Sequence, residues 1–173
     1  VVTIPQKPSA ELFIGQYTGL KRTDADFILF HIANFTLGGG FSGRLMRTVR
    51  DEEGLTYSIT SSHTGHTFAG GHWFISGSFN PKLFQKGLDA TMVQLKKWIN
   101  QGITAEELAA KKTNLTGSFK VSMATTDGLA RAILSFVERG LAPNYIDQYS
   151  KDIENVTLNQ VNTVIKKYLQ LDK

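Results

Sequence analysis

Arg50 and Tyr57 stand seven residues apart with Gly54 between them, at the far end of the stretch LGGGFSGRLMRTVRDEEGLTY that runs from Leu37 to Tyr57. A guanidinium and a phenol are both hydrogen-bond donors. They suit holding a peptide carbonyl and stabilising the negative charge that develops on its oxygen under nucleophilic attack. The residues around Gly54 put Arg50 near the end of a short helix and Tyr57 near the start of a strand, so the two side chains can converge on one spot. A plainer reading stays open beside this one: Arg50 pairs with Asp51 or Glu53 at the surface, and Tyr57 is a half-buried strand residue.

Other constellations are weaker. Gly38-Gly-Gly-Phe-Ser-Gly43 satisfies G-x-G-x-x-G, but the residues before it read as a helix where a dinucleotide site needs a strand. About 20 residues further on, where a ribose-binding acid belongs, lie Ser61, Ser62 and His63. Arg44 follows Gly43, so no phosphate-binding G-K-[ST] is formed either. The glycines read instead as a tight junction between two helices, requiring φ > 0 and close backbone approach. His63, His66 and His72 suggest a metal, yet no carboxylate sits beside the first two, and neither H-E-x-x-H nor H-x-x-E-H occurs. His31 reads as a core histidine. No G-x-S-x-G is present to make a serine nucleophile.

The elements that must position Arg50 and Tyr57 follow from periodicity. Residues 10–18 alternate, with Leu12, Ile14 and Gln16 on one side and Phe13, Gly15 and Tyr17 on the other. Pro5 and Pro8 suit an extended lead-in. Thr23 and Asp26 give an N-cap signal for a helix apolar nearly all round, ending at Gly38. A second helix is expected from Ser42 to about Glu53, stopped by Gly54. Strands follow at 55–62 and 72–79, with Trp73, Ile75, Gly77 and Phe79 on one face; the loop between them is too short for a parallel crossover, so they should be antiparallel. Four helices are then expected: residues 82–99, one opened by a Thr104/Glu107 capping box, Asp127–Arg139 ended by Gly140 and Pro143, and one opened by a Thr157/Gln160 box. An antiparallel sheet with its helices on one face is an α+β domain.

At 173 residues the chain fits a single domain, 1–173, that buries about 70% of the surface its unfolded form exposes. The formal charge is +4, but the basic residues are spread out, with Lys-Lys pairs at 96–97, 111–112 and 166–167. A nucleic-acid binder concentrates its charge, so no nucleic-acid partner is expected. The absence of cysteine excludes disulfides, thiolate catalysis and Cys-ligated zinc. No apolar run approaches the roughly 18 residues of a membrane span. A soluble protein is expected, with periplasm and cytoplasm both open.

The run Leu37-Gly-Gly-Gly-Phe-Ser-Gly-Arg-Leu, followed by Val49-Arg-Asp-Glu-Glu-Gly-Leu-Thr-Tyr57, closely resembles the pitrilysin and insulinase family of zinc peptidases, the inverzincins. It is similar to the hallmark of their C-terminal half. The likeness continues through Gly102-Ile-Thr-Ala-Glu-Glu-Leu108, Lys111, Ile153-x-x-Val-Thr157 and Lys167-Tyr-Leu, and so covers essentially the whole chain. It implies a clamshell of two α+β halves, with zinc and its general-base glutamate on an H-x-x-E-H helix of the N-terminal half. This chain, lacking that motif, resembles the C-terminal half alone, part of a longer chain or of a subunit beside a zinc-bearing partner. By itself it should hold no zinc and hydrolyse no peptide. The same resemblance implies that Arg50 and Tyr57 are the residues lent to the active site, orienting the peptide carbonyl and stabilising the oxyanion. Gly43 stands where the family commonly has serine, and Asp51 where it has glutamate after the arginine. A non-catalytic scaffold built on the same fold, as in respiratory complexes, is the competing expectation.

Overall fold

The structure is a computed structural model that describes residues 7–171; Pro5, half of the expected lead-in, lies outside them. Three strands, β1 (Ala10–Tyr17), β2 (Thr56–Thr64) and β3 (His72–Phe79), form one antiparallel sheet in the order β1-β3-β2. Alternation does what was expected of it. Leu12, Ile59, Trp73, Ile75 and Phe79 point into the core, while Phe13 and Tyr17 stay about 70% exposed on the other face.

Helices cover the inward face. α1 (Phe27–Leu37) lies against β2 and against α6 (Leu158–Tyr168), and α2 (Phe84–Gln101) stacks Trp98 on Trp73 of the sheet at 6.0 Å between rings. α3 (Ala105–Ser122) runs past α1 to α5 (Tyr149–Asn155), and α4 (Thr126–Glu138) rests on the 3-10 turn Pro143–Asp147. One cluster of buried apolar side chains extends from Leu12 to Leu169. The fold is α+β.

Two buried polar residues of this core, Asn34 and Ser61, are paired with each other. Asn34, buried on α1, donates from Nδ2 to the Ser61 carbonyl at 3.1 Å and accepts from Trp73 Nε1 at 2.9 Å, while Ser61 Oγ donates to the Asn34 carbonyl at 3.2 Å. Those bonds pin α1 to the β2 edge, where β3 offers no partner.

Differences from the sequence reading are local. Both capping boxes form, at Thr104/Glu107 and Thr157/Gln160. The N-cap signal of Thr23 and Asp26 is not realised as a side-chain cap: Asp26 makes no cap bond and instead accepts from Lys167 Nζ, at 2.5 Å, and from the Tyr168 hydroxyl, at 3.0 Å. Five α-helices, rather than four, follow β3. The additional one, α5, has seven residues, too few to declare a helical period.

Candidate active-site contribution

The helix that follows Gly43 opens with an α-helical turn and then winds more widely. Met46–Glu52 is a π-helix, closed by a bond of the i→i−5 kind from Glu53 N to the Thr48 carbonyl at 3.0 Å. Thr48 contributes to the widening, because its hydroxyl donates back to the Arg44 carbonyl at 2.7 Å and competes with the regular ladder. Met46 and Val49 face the core, which leaves Arg50 at the helix end with its side chain 32% exposed. Gly54, at φ 62°, reverses the chain, and its N–H closes on the Arg50 carbonyl at 2.9 Å.

Strand β2 then begins with an irregularity that decides where Tyr57 goes. Thr56 pairs with Phe79 and Ser58 with Ser78, so Tyr57 is an extra residue between adjacent pairs, a β-bulge. Ser58 N donates to the Thr56 hydroxyl at 3.2 Å across the bulge, and that hydroxyl also lies within bonding distance of the Ser78 carbonyl. Simple alternation from Ile59 would turn Tyr57 inward. With the bulge it is 85% exposed, so the half-buried tyrosine of the plainer reading is not what forms.

Arg50 and Tyr57 meet. The guanidinium carbon lies 5.3 Å from the centre of the Tyr57 ring, and Nη1 is 3.6 Å from Asp51 Oδ1. An exposed cation–π contact contributes about 0.5–1 kcal/mol and an exposed ion pair about 0–1 kcal/mol, so both are weak enough for a ligand to displace. A shallow cavity of about 310 Å³ opens beside Tyr57, bordered by Pro8, Gly54, Asn80 and Leu83. The arrangement offers two donors on a ridge of open surface.

The glycine run is a helix junction, but not through left-handed backbone. None of Gly38, Gly39, Gly40 or Gly43 has positive φ. Close approach is what matters there: a Cβ on Gly43 would lie 2.8 Å from the Gly38 Cα, and one on Gly38 would lie 2.8 Å from Leu45 and 2.9 Å from Ser61 N. Gly38 can thus pass its carbonyl to Ser61 N at 3.0 Å.

Two cations fasten the next residues to α3. Arg44 grips Glu107 with both carboxylate oxygens engaged, at 2.7 and 2.6 Å, and also donates to the Gly102 carbonyl at 2.9 Å. Burial pushes the Glu107 carboxyl up, yet the hydrogen bonds from Arg44 and the Thr104 backbone outweigh it and hold it below its ordinary value. Lys111, buried to 4%, donates to the Ser42 hydroxyl at 2.7 Å and carbonyl at 3.0 Å. No local pattern in the sequence announced these 63- and 69-residue spans.

The histidines do not form a metal site. His63 and His66 lie 5.1 Å apart between ring centres among Phe27 and Phe30, but His72 is on the outer side, bonded to the Thr64 hydroxyl at 3.0 Å. Among the described residues no group of three or more His, Asp or Glu side chains could hold a metal ion. Likewise no helix among them is long and apolar enough to cross a membrane.

Comparison with known proteins identifies the fold and the family. Residues 1–115 match the family model described as "Peptidase M16 inactive domain". The chain is 27% identical over 165 residues to the "Non-peptidase homolog YmxG" of Helicobacter pylori, covering 94% of this chain and 38% of that protein. Among solved structures, the peptidase M16 inactive domain from Pseudomonas fluorescens superposes with a TM-score of 0.85 at 26% identity, over 96% of this chain and 39% of the other. The inactive peptidase domain of a putative zinc protease from Bordetella parapertussis shares the fold at a TM-score of 0.78 and 16% identity, over 99% of this chain and 92% of that one. The chain therefore spans well under half the length of the first two, whereas the third shows the same fold standing as a chain of nearly this extent. It belongs to the M16 peptidase family, as the family's inactive domain.

Proposed function

We propose that this chain is the substrate-holding, metal-free half of a peptide-cleaving assembly, and that Arg50 and Tyr57 are its contribution to the reaction. The observation that supports it is the meeting of these two donors on exposed surface, produced by a π-helix and a bulge, two irregularities that recur at functional sites. An H-x-x-E-H half or partner subunit would hold the zinc, which supplies the activation of the nucleophile. Arg50 and the Tyr57 hydroxyl would donate to the scissile carbonyl oxygen, orienting it and stabilising the charge it gains. Among the described residues these side chains are held by each other and by Asp51, weak contacts that a peptide carbonyl can displace.

The test is reconstitution. The chain is combined with the H-x-x-E-H half of the same protein and turnover of a quenched fluorescent peptide is followed. Arg50→Ala and Tyr57→Phe should each lower kcat by about 10²–10³-fold, a loss of about 2.7–4 kcal/mol of transition-state stabilisation. Full activity in both variants would remove the proposed role. The name of the Helicobacter relative, a non-peptidase homolog, favours a second reading in which the same fold serves assembly alone. That reading expects stable association with the partner half and no peptide turnover in any combination.

A further inference from the structure

Arg22 and Arg139, 117 residues apart in the chain, are brought side by side behind α4. Neither forms an ion pair among the described residues, whose pairs involve Arg44, Arg47, Arg50, Arg131 and Lys167. Arg22 is half-buried with its guanidinium 4.3 Å over the Phe27 ring, and its Nε is buried with no hydrogen-bond partner among the described residues. Arg139 donates to the Ser135 hydroxyl. The carboxylates that share a cavity wall with Arg22 are engaged by other donors: Asp24 accepts from Lys21 N at 2.8 Å, Asp152 from the Tyr145 hydroxyl at 2.9 Å and from Gln148 at 2.7 Å, and Asp26 from Lys167 and Tyr168. Like charges desolvated together without a counter-ion repel, and an anion between them turns that repulsion into attraction.

A cavity of about 410 Å³ opens where they meet. Its walls combine cations with aromatics: Arg22, Arg131 and Arg139 with Phe119, Phe136 and Tyr149. The three rings form one cluster, with centres 4.5 Å (Phe119–Tyr149), 5.8 Å (Phe136–Tyr149) and 6.0 Å (Phe119–Phe136) apart. Burial raises the Tyr149 phenol, and the charges of Arg22 and Arg139 oppose that shift, so the hydroxyl sits in their common field. Arg131 is exposed and shared with Asp127 at 2.8 Å, which leaves the inner two arginines as the anchor. A forked guanidinium matches a carboxylate in plane and charge, and the rings beside it give an apolar group somewhere to go.

We propose that this cavity binds a carboxylate carried next to an apolar side chain, namely the free C-terminal end of a peptide. The carboxylate lies between Arg22 and Arg139, and the side chain packs on Phe119, Phe136 and Tyr149. The choice of a peptide end over a small free acid rests on the peptide-holding function proposed above, whereas the carboxylate chemistry stands on the cavity alone.

Calorimetric titration of the chain with N-acetyl-phenylalanine tests it without any partner or turnover. Saturable binding is expected below about 10 mM, with N-acetyl-phenylalaninamide and the variants Arg22→Gln and Arg139→Gln each binding about tenfold or more weakly. Equal affinity for acid and amide, unaltered binding in both variants, or no saturable binding overturns the site. If Arg22→Gln fails to fold, Arg139→Gln carries the test, and the thermal midpoint of the unliganded variant should not fall, since it relieves repulsion. Tighter binding of 3-phenylpropionate than of N-acetyl-phenylalanine overturns the peptide source specifically. Because Arg50 and Tyr57 play no part in this titration, its failure leaves their proposed role to the reconstitution assay.

Discussion

Asn34 shows how one polar residue can organise a core that is otherwise apolar. On an α1 that is buried nearly all round, an amide has no water, so it must find protein partners, and it finds them on two strands at once. Replacing it by leucine keeps the branched skeleton but leaves the Trp73 indole N–H and the Ser61 carbonyl without their partner. Each such orphan costs about 1–3 kcal/mol. Asn34→Leu should therefore lower the urea midpoint by an amount worth about 2–6 kcal/mol with an unchanged m-value; a loss below about 0.5 kcal/mol would mean the network contributes nothing beyond packing. Arg44 and Lys111 carry the same lesson, since each is a cation fastened to a distant segment of the chain in the fold.

At the scale of elements, the path from π-helix to bulge is what aims Arg50 and Tyr57. Gly54 is its pivot. A Cβ there would touch nothing within 4 Å, so the only penalty for Gly54→Ala is backbone strain at φ 62°. That should cost about 1–2 kcal/mol, read as a lowered thermal midpoint, and Gly54→Asn should cost less because asparagine tolerates the left-handed region. Equal midpoints for all three proteins would show that the turn relaxes elsewhere. The stop at Gly54 was legible from the residues, as were both capping boxes and the alternation of β1 and β3. The bulge was not: an extra residue in a strand leaves no mark in composition and arises from how β2 is pulled into register with β3 at Ser58 while Thr56 stays opposite Phe79. The seventh residue after Arg50 could be counted in the chain, but which face it takes depends on that register.

Across the whole molecule, the loop after β2 folds back on α1 and gathers histidines around Arg22. Desolvation lowers His31 to about 4, with Arg22 and His66 adding to it, and lowers His63 to about 4, with His66, His31 and His72 adding to it. His63 accepts or donates with the Thr18 hydroxyl at 3.0 Å, tying β1's end to the same spot. The sign follows directly. A histidine whose folded value lies below its unfolded value of about 6.5 takes up its proton in the unfolded chain first, so folding stability is full above about pH 6.5 and falls as pH drops towards 4. His31 alone gives a slope of at most about 1.4 kcal/mol per pH unit in that window, and the more exposed His63 less. Denaturation followed between pH 7 and pH 4 should show this loss, and His31→Phe should lose part of the slope while His63 keeps the rest; a flat profile in the parent chain would contradict it.

What the sequence determined by itself is whatever rests on local periodicity and local chemistry. The α+β class, the three strands, most helix limits and the likeness carried by the Leu37–Tyr57 run are all of this kind, because a period of two or of 3.6 and a capping residue act within a few positions. The tertiary structure decided the rest. Tyr57 turns outward to meet Arg50 only once β2 has a register, the glycine run is explained by what presses on it rather than by its own dihedrals, and Arg22 and Arg139 come to line one cavity only when the end of α4 is laid beside the segment before α1. Contacts between residues 60 to 120 positions apart are set by which faces pack together, and no local pattern records them.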